Sequence, residues 1–343
     1  MLEHNLDLLI VGSGLGGLSI AVTAARRGLN VRCVGDGQPG ASLANFGQLH
    51  SGAVHAPVLP NIAAACWQHR DRWHDLARPA LVGQPFGHAL FDTADAVGAY
   101  RSAWHQIGIV PTEINPNDPA ITAFGPRRPV AAFRIPDLSV DLSVLHARTV
   151  RLALASRVPM PERRRVALRR DPPGASVTTD SDDLRPRTIV LACGADTPKV
   201  LTAAGIEHTL STRRIAWGTY TGPSAACLTY WFDGDLLGIS PDRKGARVGL
   251  PGVYGQYGTS EAESARLRTA LAGRHLDLTD HDLTLHWGTV CEPSGDQADP
   301  SGLVVDLRYP PDGWSHVANL IVALPGKWTT AWHCADQVLT ALD

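Results

Sequence analysis

Residues 6–11 form a short apolar run of the kind that a strand buried on both faces requires. A glycine-rich turn follows, and residues 18–27 then place small residues along one side of a helix. Gly28 is set to end that helix, and residues 29–34 return to strand character. This pattern predicts one βαβ unit with a right-handed crossover. Residues 38–60 are too polar and too rich in glycine for a core element, whereas 61–76 read as a helix. Beyond residue 85, short apolar runs at 85–91 and 130–135 alternate with proline and glycine. A helix is expected over 141–156, a short strand in the stretch RRRVALRR, and a fully apolar strand over 188–192. Between 210 and 258, short segments separated by turn residues predict antiparallel strands. A helix over 260–273, a strand over 320–324 and a last helix from about Trp328 complete the pattern.

The chain thus leaves its first domain and returns to it. The expected architecture is α/β, a Rossmann-type dinucleotide-binding domain from 1–84, 137–209 and 301–343. An antiparallel-sheet substrate domain, from 85–136 and 210–300, is interwoven with it. At 343 residues, about two domains are the prior.

Charge narrows the partners. A formal net charge of −2 gives no electrostatic reason to expect nucleic acid or an anionic membrane. No stretch gives 18 consecutive apolar residues, and the start of the chain, with Glu3 and Asp7, is unlike a signal peptide, so a cytoplasmic protein is expected. The six cysteines form no C-x-x-C pair, which argues for thiols rather than disulfides or structural zinc, and no metal motif is present.

The turn Gly12-Ser13-Gly14-Leu15-Gly16-Gly17 spells G-x-G-x-x-G between a strand and a helix. Gly12 permits the tight turn, Gly14 lets backbone approach a pyrophosphate, and Gly17 allows close helix–strand packing. The helix N-terminus offers the phosphates its N–H groups and positive dipole end. The acidic residue expected after the second strand is displaced by one: Gly35 holds its place and Asp36 follows. Asp36 reaches a ribose hydroxyl only if the strand has already ended.

Three further segments carry a resemblance. Asn45, Gly47 and His50-Ser51-Gly52 match a loop of L-2-hydroxyglutarate dehydrogenases. Gly326-Lys327-Trp328-Thr329-Thr330 resembles the Gly-Gly-Lys-Leu/Trp-Thr-Thr run of FAD-dependent glycerol-3-phosphate dehydrogenases, with Pro325 in place of the first glycine. TIVLACGAD, which holds Gly194, looks like a third landmark, an apolar strand ending in a small-Gly-Ala turn. In this order the chain resembles the D-amino-acid oxidase superfamily. The resemblance implies non-covalent FAD and a small-molecule substrate. Cofactor-binding candidates are then Gly12, Gly14, Gly17, Asp36, Ser42, Asn45, Gly47, His50, Val166, Gly194, Gly326, Lys327, Trp328 and Thr329.

The chemistry expected is hydride transfer to flavin N5 from a carbon bearing an amine or a hydroxyl. His50 is the candidate proton acceptor, because an imidazole titrates near neutral pH. Backbone N–H groups at Gly326–Thr330, with Lys327, would stabilise negative charge on the reduced ring. Many amino-acid-oxidising relatives carry a carboxylate-gripping Arg before a Pro-Asp-Gly turn. Counting back from Asp296 puts Cys291 at that position, with Glu292 beside it as a third catalytic candidate. A carboxylate there favours a cationic amine or a polyol over an anion. Amine-oxidising relatives that tether flavin through Cys carry it two positions earlier, hence the non-covalent expectation. The alternatives are a 2-hydroxy-acid or polyol dehydrogenase, a nicotinamide enzyme, or a dinucleotide-binding module without redox turnover.

Overall fold

A computed structural model describes residues 6–35, 40–122, 128–221, 225–233, 235–242, 245–250, 259–273, 283–294 and 302–343. It divides into two compact units: 1–43, 143–213 and 289–343 form the first, and 44–142 with 214–288 the second. Residues 44–84, grouped above with the nucleotide-binding segments, pack in the second unit.

The first unit is built on a six-stranded sheet. In order across it lie Leu303–Asp306, Leu320–Leu324, Thr188–Leu191, β1 (Leu8–Val11), β2 (Val31–Gly35) and Glu162–Arg163. β1 is central and runs parallel to both β2 and Thr188–Leu191. Its residues are 0–3% exposed, which is why it carries no alternation of polar positions. Helix α1 (Leu15–Arg26) joins β1 to β2 and packs against the C-terminal helix Ala331–Leu342. Gly28, at φ +85°, follows the helix as its backbone and that of Leu29 donate to Ala25 and Ala24. Apolar residues of a three-stranded sheet, among them Leu168, Val177 and Leu184, share one core with Leu9, Val34 and Leu191.

Most of an eight-stranded sheet belongs to the second unit, with residues 210–213 and 289–293 of its first two strands counted in the first. Its order is Leu283–Pro293, Leu210–Tyr220, Gly245–Gly249, Asp235–Asp242, Leu228–Asp233, Gly87–Phe91, Ala131–Ile135 and Thr112–Ile114. The expectation of antiparallel strands over 210–258 holds for three pairings, two of them between consecutive strands, but Leu228–Asp233 runs parallel to Gly87–Phe91. A parallel partner requires a long crossover, and no turn signal next to the strand reveals one. The helix Ala94–Ile107 also lay outside the sequence reading. Its signals are at its ends: the Thr93 hydroxyl accepts from Ala96 N, and Gly108 follows at φ +82°. No described helix is long and apolar enough to cross a membrane.

Candidate functional site

In the first unit the glycine turn is braced by its neighbours. A Cβ on Gly12, which sits at φ +119°, would lie 2.2 Å from the Ala192 carbonyl oxygen. One on Gly17 would lie 1.9 Å from Gly12 O, so the turn and helix touch backbone to backbone. Ser42 Oγ accepts from Leu15 N at 3.0 Å. His146, on the helix Leu142–Ala155, places Nε2 2.9 Å from the Ser13 carbonyl oxygen, a support that the sequence reading missed. The helix starts after Gly14 with no side-chain cap and no acidic residue in its first turn. A Cβ on Gly14 would come 2.9 Å from Ser42 Oγ and fill the cradle. These features fit the pyrophosphate of a dinucleotide, since an anion there meets helix N–H groups and no carboxylate within the helix's first turn.

The C-terminal run lies in the same unit. Gly326 turns at φ +67°, and Thr330 Oγ donates to the Lys327 carbonyl at 2.8 Å and to Pro325 O. Thr329 is buried, while Lys327 and Trp328 are half-buried. Gly194, at φ +55°, opens the turn after Thr188–Leu191, and Val166 begins the strand Val166–Asp171. Asp36 and Asp296 lie outside the described residues.

Glu292 has a partner inside the protein. Its two carboxylate oxygens accept from Arg213 Nε at 2.9 Å and Nη2 at 3.3 Å, with both side chains largely buried. The charge that suggested a cationic substrate is therefore balanced by a guanidinium. Cys291 belongs to the first unit's apolar core, and burial, reinforced by Glu292, pushes its thiol up to about 12. A thiol in that state is a poor nucleophile.

In the second unit a polar cluster surrounds Asp137, a residue with no solvent exposure. Its Oδ1 accepts from Ser51 N at 2.8 Å and from the Ser51 hydroxyl. Its Oδ2 lies 3.2 Å from Tyr230 OH and 3.4 Å from His50 Nδ1. Ser51 N, the Ser51 hydroxyl and Tyr230 OH thus donate to one carboxylate, and a protonated His50 Nδ1 would be a fourth donor. Burial first, and Asp137 next, hold the Tyr230 hydroxyl well above its ordinary range, so it stays a neutral donor. A proton on His50 Nδ1, directed at Asp137, puts the imidazole lone pair on Nε2. His55 stands beside it, ring centroids 4.8 Å apart.

The loop that carries His50 is shaped locally. Asn45 Oδ1 accepts from Gly47 N at 2.9 Å, and Gly47 adopts φ +76°. A Cβ on Gly47 would collide with Arg247 Nη1 at 2.2 Å. Gln48–Leu49 then pairs antiparallel with Leu138–Ser139, which brings Asp137 next to His50 and Ser51. His50 was legible in the sequence; Asp137 and Tyr230 were not, because neither sits in a motif.

A family model described as FAD dependent oxidoreductase matches residues 7–335. No curated protein matches. Among solved structures, iminodiacetate oxidase from Chelativorans sp. BNC1 superposes with a TM-score of 0.74 at 17% identity, covering 98% of this chain and 95% of that one. Glycine oxidase from Geobacillus kaustophilus gives 0.69 at 18% identity, with 97% and 93% covered. L-alpha-glycerophosphate oxidase from Mycoplasma pneumoniae, solved with FAD bound, gives 0.73 at 15% identity, with 98% and 94% covered. At these identities the likeness is one of fold.

Proposed function

The chain belongs to the FAD dependent oxidoreductase family, and from that premise we propose that it oxidises a C–H bond beside an amine or hydroxyl in a small molecule that no carboxylate clamp holds. The observation that carries this reading is the Asp137 cluster, which orients His50 through Nδ1. FAD, when bound, supplies the acceptor for the hydride that leaves the substrate carbon. His50 Nε2 takes the proton from the neighbouring N–H or O–H, so that a C=N or C=O bond forms as the C–H bond breaks. Asp137 stabilises the imidazolium that results, and its buried hydrogen bonds with Ser51 and Tyr230 keep it from turning away. Gly12, Gly14, Gly17 and Ser42 would hold the pyrophosphate, and Gly326 to Thr329 with Lys327 would face the ring's negative charge. Cys291, buried and protonated, fits non-covalent binding.

His50→Gln keeps a hydrogen-bonding side chain but loses the base. Anaerobic flavin reduction by a saturating substrate should slow by about 10²–10⁴ while the FAD spectrum persists. Reduction at the parental rate would remove His50 from the chemistry.

A further inference from the structure

Strand register sets four residues in one row across the second unit's sheet. Tyr230 pairs with Gly238, Gly238 with Gly249, and Gly249 with Trp217. Directly paired residues share a face, so two aromatic side chains stand at the ends of a row whose middle positions carry none. Three strand spacings make this row about 14 Å long. Phe46, from the loop of His50, lies over the gap. A Cβ on Gly249 would be 3.3 Å from its ring, and one on Gly238 3.4 Å. At one end of the row, Tyr230 OH lies 3.2 Å from His50 Nδ1. At the other, Trp217 stacks on His286 with centroids 4.3 Å apart and planes 23° apart. His286 Nε2 is 2.9 Å from Thr219 Oγ1. Burial lowers the pKa of His286, which keeps that ring uncharged.

Phe46, Trp217 and His286 are each only partly buried. They lie on the sheet face that holds the His50 cluster, with the Trp217 indole nitrogen itself buried. The guanidinium in the adjoining row keeps only its buried Nε without a hydrogen-bond partner, which offers an anion no two-pronged fork. Arg247 pairs in register with Ser240 and Thr219, is 7% exposed, and donates to Val140 O, Pro241 O and Ser139 Oγ. A substrate carboxylate would find no available fork there, whereas an aromatic ring would find three rings to pack against.

We propose that Phe46, Trp217 and His286 form the subsite for an aromatic ring on the substrate, so that the enzyme oxidises an arylalkyl amine or alcohol lacking a carboxylate. This rests on His50 being the proton acceptor, and it adds the substrate class. The electron balance is unchanged: the C–H electron pair goes to FAD, the N–H or O–H proton to His50.

The test mixes FAD-loaded enzyme anaerobically with 2-phenylethylamine, 2-phenylethanol, glycine, sarcosine and glycerol 3-phosphate. An aryl compound should half-saturate flavin reduction at a concentration at least about tenfold below the others. Trp217→Ala should raise that concentration about tenfold or more, with a far smaller effect on the limiting rate, and Trp217→Phe should restore most of the affinity. His50→Gln should do the reverse, lowering the limiting rate and sparing the half-saturation. If no compound reduces the flavin, perturbation of its absorption spectrum reads the same affinities. Tighter saturation by glycine or sarcosine, no aryl-induced spectral change, or an unshifted Trp217→Ala overturns the subsite and leaves the His50 reading standing. A shifted Trp217→Ala with an undiminished rate in His50→Gln sinks the His50 reading and leaves the subsite.

Discussion

Gly249 makes the space that Phe46 fills: a Cβ there would lie 3.3 Å from Phe46 Cδ2, closer than packed side chains tolerate without movement. Gly249→Ala should therefore cost about 1 kcal/mol of stability. The cost should disappear when Phe46 is already Ala, because the atom that must yield is gone. Urea denaturation of the two single variants and the double variant measures that coupling. Additive losses would mean that Gly249 answers to backbone conformation rather than to Phe46.

Two glycines of the same turn should fail differently. Gly14→Val crowds Ser42 Oγ and fills the cradle, so the purified protein should lose most of its FAD and remain folded. Gly12→Ala meets the Ala192 carbonyl and needs φ +119°, so it should cost roughly 2–4 kcal/mol of stability as well. Flavin absorbance per protein and thermal denaturation separate the two. Full FAD occupancy in Gly14→Val would contradict the pyrophosphate assignment.

Asp137→Asn tests orientation apart from basicity. The amide oxygen can still accept from Ser51 N, while its NH₂ replaces the acceptor facing His50 Nδ1 and Tyr230 OH. A donor at that place moves the imidazole proton to Nε2 and the lone pair to Nδ1. Flavin reduction should slow by about 10²–10⁴ with FAD retained. An unaltered limiting rate in stopped-flow reduction would leave Asp137 a purely structural anchor for Ser51.

Acid should weaken the edge of the first unit's sheet. Glu162 accepts from Arg32 Nε and Nη2, both at 2.8 Å, and this pairing is the main cause that holds its carboxyl below the ordinary 4.5. A carboxyl with a depressed folded-state pKa stabilises the fold above its unfolded value, and that contribution is lost as pH falls through the folded one. The pair is partly exposed, so Glu162→Gln should cost no more than about 1 kcal/mol near neutral pH. The gap between variant and parent should close as pH falls through the depressed Glu162 value, as followed by urea midpoints. A constant gap across that range would assign the difference to packing.

What the sequence determined by itself lies in contiguous segments. The turn from Gly12 to Gly17 is legible because each glycine answers to a neighbour brought close by one βαβ unit, and the buried strand Leu8–Val11 because burial on both faces removes its polar positions. The loop from Asn45 to His50 is marked in the sequence by its resemblance to a family loop, and its turn, Asn45 to Gly47, is closed locally. The partners of His50 were decided by tertiary structure alone. Asp137 lies 87 positions from it and Tyr230 180 positions, and each is an ordinary strand or loop residue until sheet register sets it there. The same holds for Glu292, whose sequence neighbours suggest a free carboxylate and whose actual partner, Arg213, is 79 positions away. Gly238 and Gly249 read as strand breakers in isolation, and only the row from Tyr230 to Trp217 gives their missing side chains a purpose. Local sequence encodes backbone conformation within a turn or two, whereas hydrogen-bond partners across a sheet are chosen by register, a property of paired strands that no single segment contains.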